Sequence, residues 1–286
     1  MARAVDAWWE QLDRPAPFTI VDAGAGRGTL ARSLLAASPG CADVLDLVLV
    51  ERSAPLRDEH PDGVTSLAEP PELIEAGVVV ANELLDNLPF RMIERTADGW
   101  CDVLVDVDED GRLVELLGPP VGSASGDGPV GARVPVQTAA RGWVESAVAS
   151  VGRGAVVAID YASTTARLAA VPDAGWLRTY RGHERGGAPL DQPGGQDLTA
   201  DVCVDQLPTP DQHLDQASFL RRHGLDQLVE EGRRVWRERA HLGDLTAIRA
   251  RSRVAEAEAL TDSHGLGSFA VLLWNAGGGG GPTITL

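Results

Sequence analysis

The 286-residue sequence predicts an α/β fold, a doubly wound and mostly parallel sheet. Three observations point there. Short β-rich apolar runs, Phe18 to Val21, Leu45 to Val50, Val78 to Ala81, Ala155 to Ile159 and Ala270 to Trp274, are too continuous for strands with one wet face and read as buried parallel strands. Helix-compatible stretches separate the early ones, Arg27 to Ala37 after the first and Ser53 to Glu59 after the second. The first run opens straight into a glycine-rich turn and then a helix, as expected where the crossovers of such a sheet bring strand ends together.

The remaining elements follow in order. Val5, Trp8, Trp9 and Leu12 recur at helical spacing and predict an amphipathic first helix, ended by Pro15 and Pro17. After Pro89, alternation through Phe90 to Thr96, Cys101 to Val107 and Arg112 to Leu117, with Asp98-Gly99 and Asp110-Gly111 at the turns, predicts an antiparallel meander inserted over 90–135. Leu214, Phe219, Leu220, Leu225 and Leu228 predict a helical insertion over 205–262, with Gly224 as a stop. The stretch Gly118 to Gly131 and the tail 277–286 have too little apolar content to order themselves and are expected to be flexible. The whole chain, 1–286, is expected to be one domain carrying these insertions.

Composition removes several functions. With 25 basic against 42 acidic side chains the formal charge is −17, so the general surface repels phosphate backbones and no nucleic-acid partner is expected. Every basic residue is arginine, which excludes Schiff-base chemistry and the lysine of a P-loop. Cys41, Cys101 and Cys203 form no disulfide framework, and the six histidines have no metal-ligand spacing, so no metal is expected. No apolar run approaches the ~18 residues of a membrane span, and Asp6, Glu10 and Asp13 interrupt the start where a signal peptide is apolar. A cytoplasmic location and no membrane contact are expected. Whether the chain forms a homodimer stays open.

The glycine turn reads Asp22-Ala23-Gly24-Ala25-Gly26-Arg27-Gly28-Thr29. Glycines there permit positive φ and close backbone approach, and the amides at the helix start attract a carboxylate or phosphate. A dinucleotide fingerprint needs its third glycine where Thr29 stands, which disfavours a nicotinamide oxidoreductase. Asp22 beside the loop suits a cationic ligand carrying an ammonium or sulfonium better than a polyanion. Glu51, ending Val48-Leu49-Val50-Glu51, is placed to accept both hydroxyls of a ribose; alone it could equally be a solvated acid or a partner of Arg52.

The next strand ends in Ala81-Asn82-Glu83-Leu84-Leu85-Asp86-Asn87-Leu88-Pro89. With the glycine turn, this motif resembles the MidA family of class I S-adenosylmethionine-dependent methyltransferases. Further matches are Ala158-Ile159-Asp160-Tyr161, Leu177-Arg178-Thr179-Tyr180-Arg181-Gly182-His183, Pro193-Gly194-Gly195-Gln196-Asp197-Leu198-Thr199 and Gly265-Leu266-Gly267-Ser268-Phe269, so the likeness covers most of Phe18 to Trp274. It implies a seven-stranded Rossmann-like sheet with an antiparallel last strand, and S-adenosylmethionine as cofactor. By the resemblance, Asp22, Gly24, Gly26 and Gly28 meet its methionine end, Glu51 its ribose, and Asn82 and Glu83 stand beside the transferring methyl. Eukaryotic members look like mitochondrial arginine methyltransferases of respiratory complex I assembly, which implies an arginine-bearing protein as acceptor. Members usually carry a longer, tyrosine-containing region before the first strand than is present here.

Methyl transfer from a sulfonium is an in-line displacement, so positioning supplies most of the catalysis. A guanidinium acceptor needs carboxylates to orient it and localise its charge, which nominates Glu83 first and Asp86 second, with Asn82 beside them. Their spacing puts Glu83 and Asp86 on one side of a helical turn, though a first-turn acid stabilising that turn would look the same. Asp160 and Tyr161 at the next strand end, and Arg181, His183 and Asp197 in a long polar loop, are candidates for the acceptor pocket. A catalytically inactive scaffold or assembly factor on the same fold, and a small-molecule methyltransferase, remain alternatives.

Overall fold

The structure, a computed structural model, describes residues 1–122, 128–171, 175–182, 184–277 and 282–286. Two compact units can be distinguished within the chain: Met1–Asn82, Ala147–Ile159 and Pro210–Leu286 form the first, and Glu83–Ser146 with Asp160–Thr209 form the second.

The chain enters through α1 (Ala2–Gln11), whose apolar stripe buries Ala4, Val5 and Trp8. Then come β1 (Phe18–Ala23), α2 (Thr29–Ala37), β2 (Leu45–Val50), the short α3 (Ala54–Arg57), β3 (Thr65–Leu67) and β4 (Gly77–Asn82). The chain next forms β5 (Arg91–Thr96), β6 (Gly99–Val107), β7 (Leu113–Val121), β8 (Arg133–Val136) and α4 (Thr138–Ser150), and returns to the first unit as β9 (Gly154–Asp160). A second excursion holds β10 (Ala162–Ser163), α5 (Thr165–Ala170), β11 (Leu177–Arg181), β12 (Glu184–Arg185), β13 (Asp197–Ala200) and β14 (Val202–Cys203). The chain closes with β15 (Gln212–Asp215), α6 (Gln216–Arg222), α7 (Leu225–Arg239), α8 (Leu245–Leu260) and β16 (Ala270–Ala276).

The first unit is built on a seven-stranded sheet in the order β15-β16-β9-β4-β1-β2-β3. The apolar runs read from the sequence are its middle: β9 is buried along its whole length and β1 at all but one residue. β1 pairs parallel with both β2 and β4, so the strand order reverses at β1, the switch point where an open sheet leaves a crevice past its strand ends. Registers Ala23↔Val50, Ala23↔Ala81 and Asn82↔Ile159 line those ends up along one edge of the sheet. β15 and β16 pair antiparallel.

The second unit holds the expected meander, extended by a fourth strand to β7-β6-β5-β8, and two smaller sheets, β12-β11-β13 and β10-β14. Its core packs Ile93, Trp100, Val134, Leu168, Trp176 and Cys203.

Four expectations need correction. The helical insertion starts later, because Gln212–Asp215 is a strand fixed by pairing with β16 rather than by its own period. The stretch from Gly118 is not loose at its start: β7 runs to Val121, paired with Trp100 of β6, while 123–127 lie outside the described residues. In the tail, 278–281 also lie outside them, but Ile284 and Leu286 are buried, and Leu286 N–H donates to Gln212 at 3.0 Å. The polar loop expected around Arg181 and Asp197 is the antiparallel sheet β12-β11-β13, with Tyr180 opposite Asp197.

Candidate active site

In the first unit the turn from β1 into α2 brings Asp22, the three glycines and Glu51 together. The amides of Gly24 and Ala25 both donate to the Val50 carbonyl, and that of Gly28 to Ala25. The Gly26 amide donates to Glu51 Oε2 at 3.0 Å, and the Ser53 amide to Glu51 Oε1 at 2.8 Å. The N–H groups of these four loop residues are thus turned into the protein. Each Glu51 oxygen keeps a second acceptor site, so a ribose diol can still be received. Gly28 has a packing role, since a Cβ there would lie 2.9 Å from the Leu49 side chain. Gly26 differs: at φ +54 it is left-handed, and nothing lies within 4 Å of where its Cβ would be, so ligand can approach the backbone there.

Asp22 is buried, and its Oδ2 finds no hydrogen-bond partner among the described residues. Burial pushes the carboxyl up to about 6. A buried acceptor left unsatisfied is expensive in an unliganded fold, and a cationic donor from a ligand would repair it. Asp22, open Gly26 and strand-end Glu51 thus suit a molecule with an ammonium or sulfonium at one end and a ribose at the other. Asn82, exposed at the end of β4, completes the residues of this unit assigned to the cofactor.

The second unit begins at Glu83, which is exposed and adopts a left-handed φ of 51°. Asp86 follows in a single 3-10 turn, Leu85–Asn87, and is buried, so the two acids do not share a helical face as expected. Asp86 still senses the Glu83 charge. Burial raises the Asp86 carboxyl first and the Glu83 charge raises it further, against Arg178, which lowers it. Nor does Asp86 cap its turn; Asp160 does. Oδ2 of Asp160 accepts from the Leu85 and Asp86 amides at 2.9 and 3.2 Å, and Oδ1 from the Tyr161 amide at 2.9 Å. Asp160 is itself buried, and burial followed by the Asp86 charge raises its carboxyl. Asp160, a sequence candidate for the acceptor pocket, thus braces the turn that carries Asp86.

Tyr161 is half-buried, with the Arg178 guanidinium 4.5 Å from its ring centroid. Arg181 and Asp197 are exposed on β11 and β13, where Arg181 Nε donates to the Gly195 carbonyl at 3.3 Å. His183 lies outside the described residues. Two residues escaped the sequence reading. Arg178, largely buried, pairs with Asp201 at 2.5 Å and faces both Tyr161 and Asp86; it stands inside a recognised motif, which was the available signal. His60, 34 residues from the glycine it touches, gave none.

Among the described residues no group of three or more His, Cys, Asp or Glu side chains is placed to hold a metal ion, and no helix is long and apolar enough to cross a membrane.

A sheet that reverses at β1, closes with an antiparallel pair and flanks its first glycine turn with acids is the frame of a class I methyltransferase. Comparison with known proteins agrees. A family model described as "Putative S-adenosyl-L-methionine-dependent methyltransferase" matches residues 1–222, and the chain belongs to that family. Its cofactor is S-adenosylmethionine. A protein from Burkholderia thailandensis, crystallised with S-adenosyl-homocysteine, superposes with a TM-score of 0.78 at 26% identity, covering 98% of this chain and 76% of that one. A native structure from the same organism gives 0.79, also at 26% identity, over 98% and 80% of the two chains. Among curated proteins, the mitochondrial protein arginine methyltransferase NDUFAF7 of Xenopus tropicalis is 25% identical over 266 residues, 76% of this chain and 60% of its own. The NDUFAF7 of Danio rerio is 30% identical over 169 residues, 54% of this chain and 38% of its own. The chain thus spans less than two thirds of the length of either relative.

Proposed function

We propose that this chain transfers the methyl group of S-adenosylmethionine to an arginine side chain of a partner protein. The observation that carries the reading is the backbone of Glu83, held left-handed at φ 51° directly after the last residue of β4. Such a conformation in a residue with a side chain costs roughly 1–3 kcal/mol and persists where its surroundings over-determine it, most often at working sites. The residue is exposed, and it directly follows a strand end, the position at which catalytic groups of such sheets are commonly mounted.

When bound, the cofactor supplies an electrophilic methyl on its sulfonium. The acceptor is the harder partner, because a guanidinium is delocalised and cationic. A carboxylate that accepts two of its N–H groups orients it, draws the charge to one side, and leaves a nitrogen lone pair directed outward. The same carboxylate oxygen can take the proton the alkylated nitrogen gives up. Glu83 fills that role, and buried Asp86, which senses its charge, adds negative potential. The two relatives named as protein arginine methyltransferases support this choice of acceptor, as does a net charge of −17, which favours an arginine-rich partner.

The test is incubation with methyl-labelled cofactor and a protein extract, followed by mass spectrometry of hydrolysates. Methylarginine dependent on the chain is the expected result; label in a small metabolite, with none in protein, would overturn the acceptor. Glu83→Gln should lower kcat by about 100-fold or more while leaving S-adenosylhomocysteine affinity nearly unchanged. An equal fall in both would move Glu83 from the acceptor to the cofactor.

A further inference from the structure

Gly26 is held from two sides. Its N–H donates to Glu51 Oε2 at 3.0 Å, and its carbonyl lies 3.0 Å from His60 Nε2. A carbonyl only accepts, so Nε2 of His60 carries the proton. The other ring nitrogen, Nδ1, lies 2.8 Å from Ser66 Oγ, and in the neutral ring it accepts from that hydroxyl. Ser66 sits on β3 opposite Leu49 of β2, and the Glu51 amide donates to the Leu67 carbonyl at 3.0 Å. Both groups that hold Gly26 are therefore anchored to the same sheet edge.

The neighbours of His60 grip the same loop. Glu59 takes Arg27 Nη1 on both carboxylate oxygens, at 2.7 and 2.6 Å, and its carbonyl accepts from Arg32. Pro61 Cδ and His60 Cδ2 would lie 3.0 and 3.4 Å from a Cβ on Gly28. The Arg27–Glu59 pair is solvent-exposed and contributes little alone. His60 is half-buried and bonds Gly26, where nothing lies within 4 Å of a Cβ position.

We propose that His60 is a positioning residue for the cofactor: its Nε2–H fixes the orientation of the Gly26 peptide on which the adenosyl ligand lies, and Ser66 selects the tautomer able to donate. His60 touches no reacting atom in this role. It works through Gly26, in the way an outer partner orients a ligand-bearing group. The inference rests on the cofactor site and is independent of the arginine acceptor.

Two conservative variants separate positioning from bulk structure. A glutamine amide nitrogen reaches where Nε2 stands, whereas an asparagine amide reaches only as far as Nδ1. Calorimetric titration with S-adenosylhomocysteine should find H60Q close to the unaltered chain and H60N and H60A about five- to tenfold weaker, the ratio expected for one lost hydrogen bond and a loosened loop. Melting temperatures are measured alongside, and H60Q and H60N should match. Nitrogen-15 spectra of labelled histidine in the unaltered protein should show a protonated Nε2 and an unprotonated Nδ1 on the signal that S66A perturbs. H60N binding like the unaltered chain would overturn the proposal, as would H60Q binding as weakly as H60N, affinity that merely tracks melting temperature, or the opposite tautomer. If the unaltered chain itself fails to bind, the cofactor site falls and the proposal with it; if it binds and the variants do not differ, only the role of His60 falls.

Discussion

Asp22 and Asp160 stand at equivalent places in the two halves of the molecule's chemistry and do opposite things. Each lies at the C-terminal end of a central strand, β1 or β9, each is buried, and in each burial is the first cause of a raised carboxyl. Yet Asp160 receives three backbone amides, while Asp22 keeps an oxygen without a partner among the described residues. Burial and a displaced titration thus do not separate a ligand-binding acid from a structural one. The donors already present do. A satisfied carboxylate braces the fold, and an unsatisfied one is held for something that arrives later.

The sharpest way to break that contrast is to close the space beside the unsatisfied acid. Gly26→Val puts a branched side chain on a left-handed backbone and into the open volume where the ligand meets the loop. Titration with S-adenosylhomocysteine should then give no saturable heat, and unchanged affinity would show that the ligand does not lie against Gly26.

Asp22→Asn tests the acid itself, with effects of opposite sign on binding and stability. Removing the charge that meets a ligand ammonium should weaken S-adenosylhomocysteine by about 20- to 100-fold, the loss of one charge-assisted hydrogen bond. The unliganded protein should become more stable. The folded carboxyl titrates near 6 against an ordinary 3.8, so the native state holds its proton more tightly than the unfolded chain, and ionisation counts against folding as pH rises through that window. Urea midpoints should therefore agree for the two proteins near pH 4 and favour the variant by on the order of 1–3 kcal/mol above pH 7. Asp160→Ala should behave in reverse. It removes the acceptors of the Leu85, Asp86 and Tyr161 amides and should destabilise the protein by on the order of 2 kcal/mol, with S-adenosylhomocysteine affinity little changed. A stabilised Asp160 variant would mean that its amides are not what holds the turn.

The same contrast explains what could be read in the sequence. Asp22 through Gly28 is one contiguous turn, and Glu51 directly follows the strand beside it, so strand-end position alone let these residues be expected together. The central strands were legible because both their faces are buried and their apolar runs are unbroken. β3 and β15 at the sheet edges were not, because their identity is set by pairing with β2 and β16 rather than by pattern. Nor were long-range partners. Asp160 meets the Leu85 amide across 75 residues, and His60 meets Gly26 across 34, separations over which side-chain type says nothing about contact. The tail misled for a related reason: its low apolar content is real, but Ile284 and Leu286 suffice to dock its end.

The smallest effect is also the most specific to Asp22. Only its ionised form meets a cation well, so affinity should be full above its titration and decline as pH falls through about 6. Between pH 7.5 and 5.5 the ionised fraction drops from nearly complete to about one quarter, which predicts an affinity about fourfold weaker at the lower pH. The ligand contributes little slope, since its ammonium and carboxylate keep their charges throughout this range. Comparing calorimetric affinities of the unaltered chain and the Asp22→Asn variant at both pH values isolates the residue, because the variant has nothing to titrate at that position. It should be flat. A variant that keeps the full slope would assign the pH dependence to another group and leave the orphaned oxygen of Asp22 without its cationic partner.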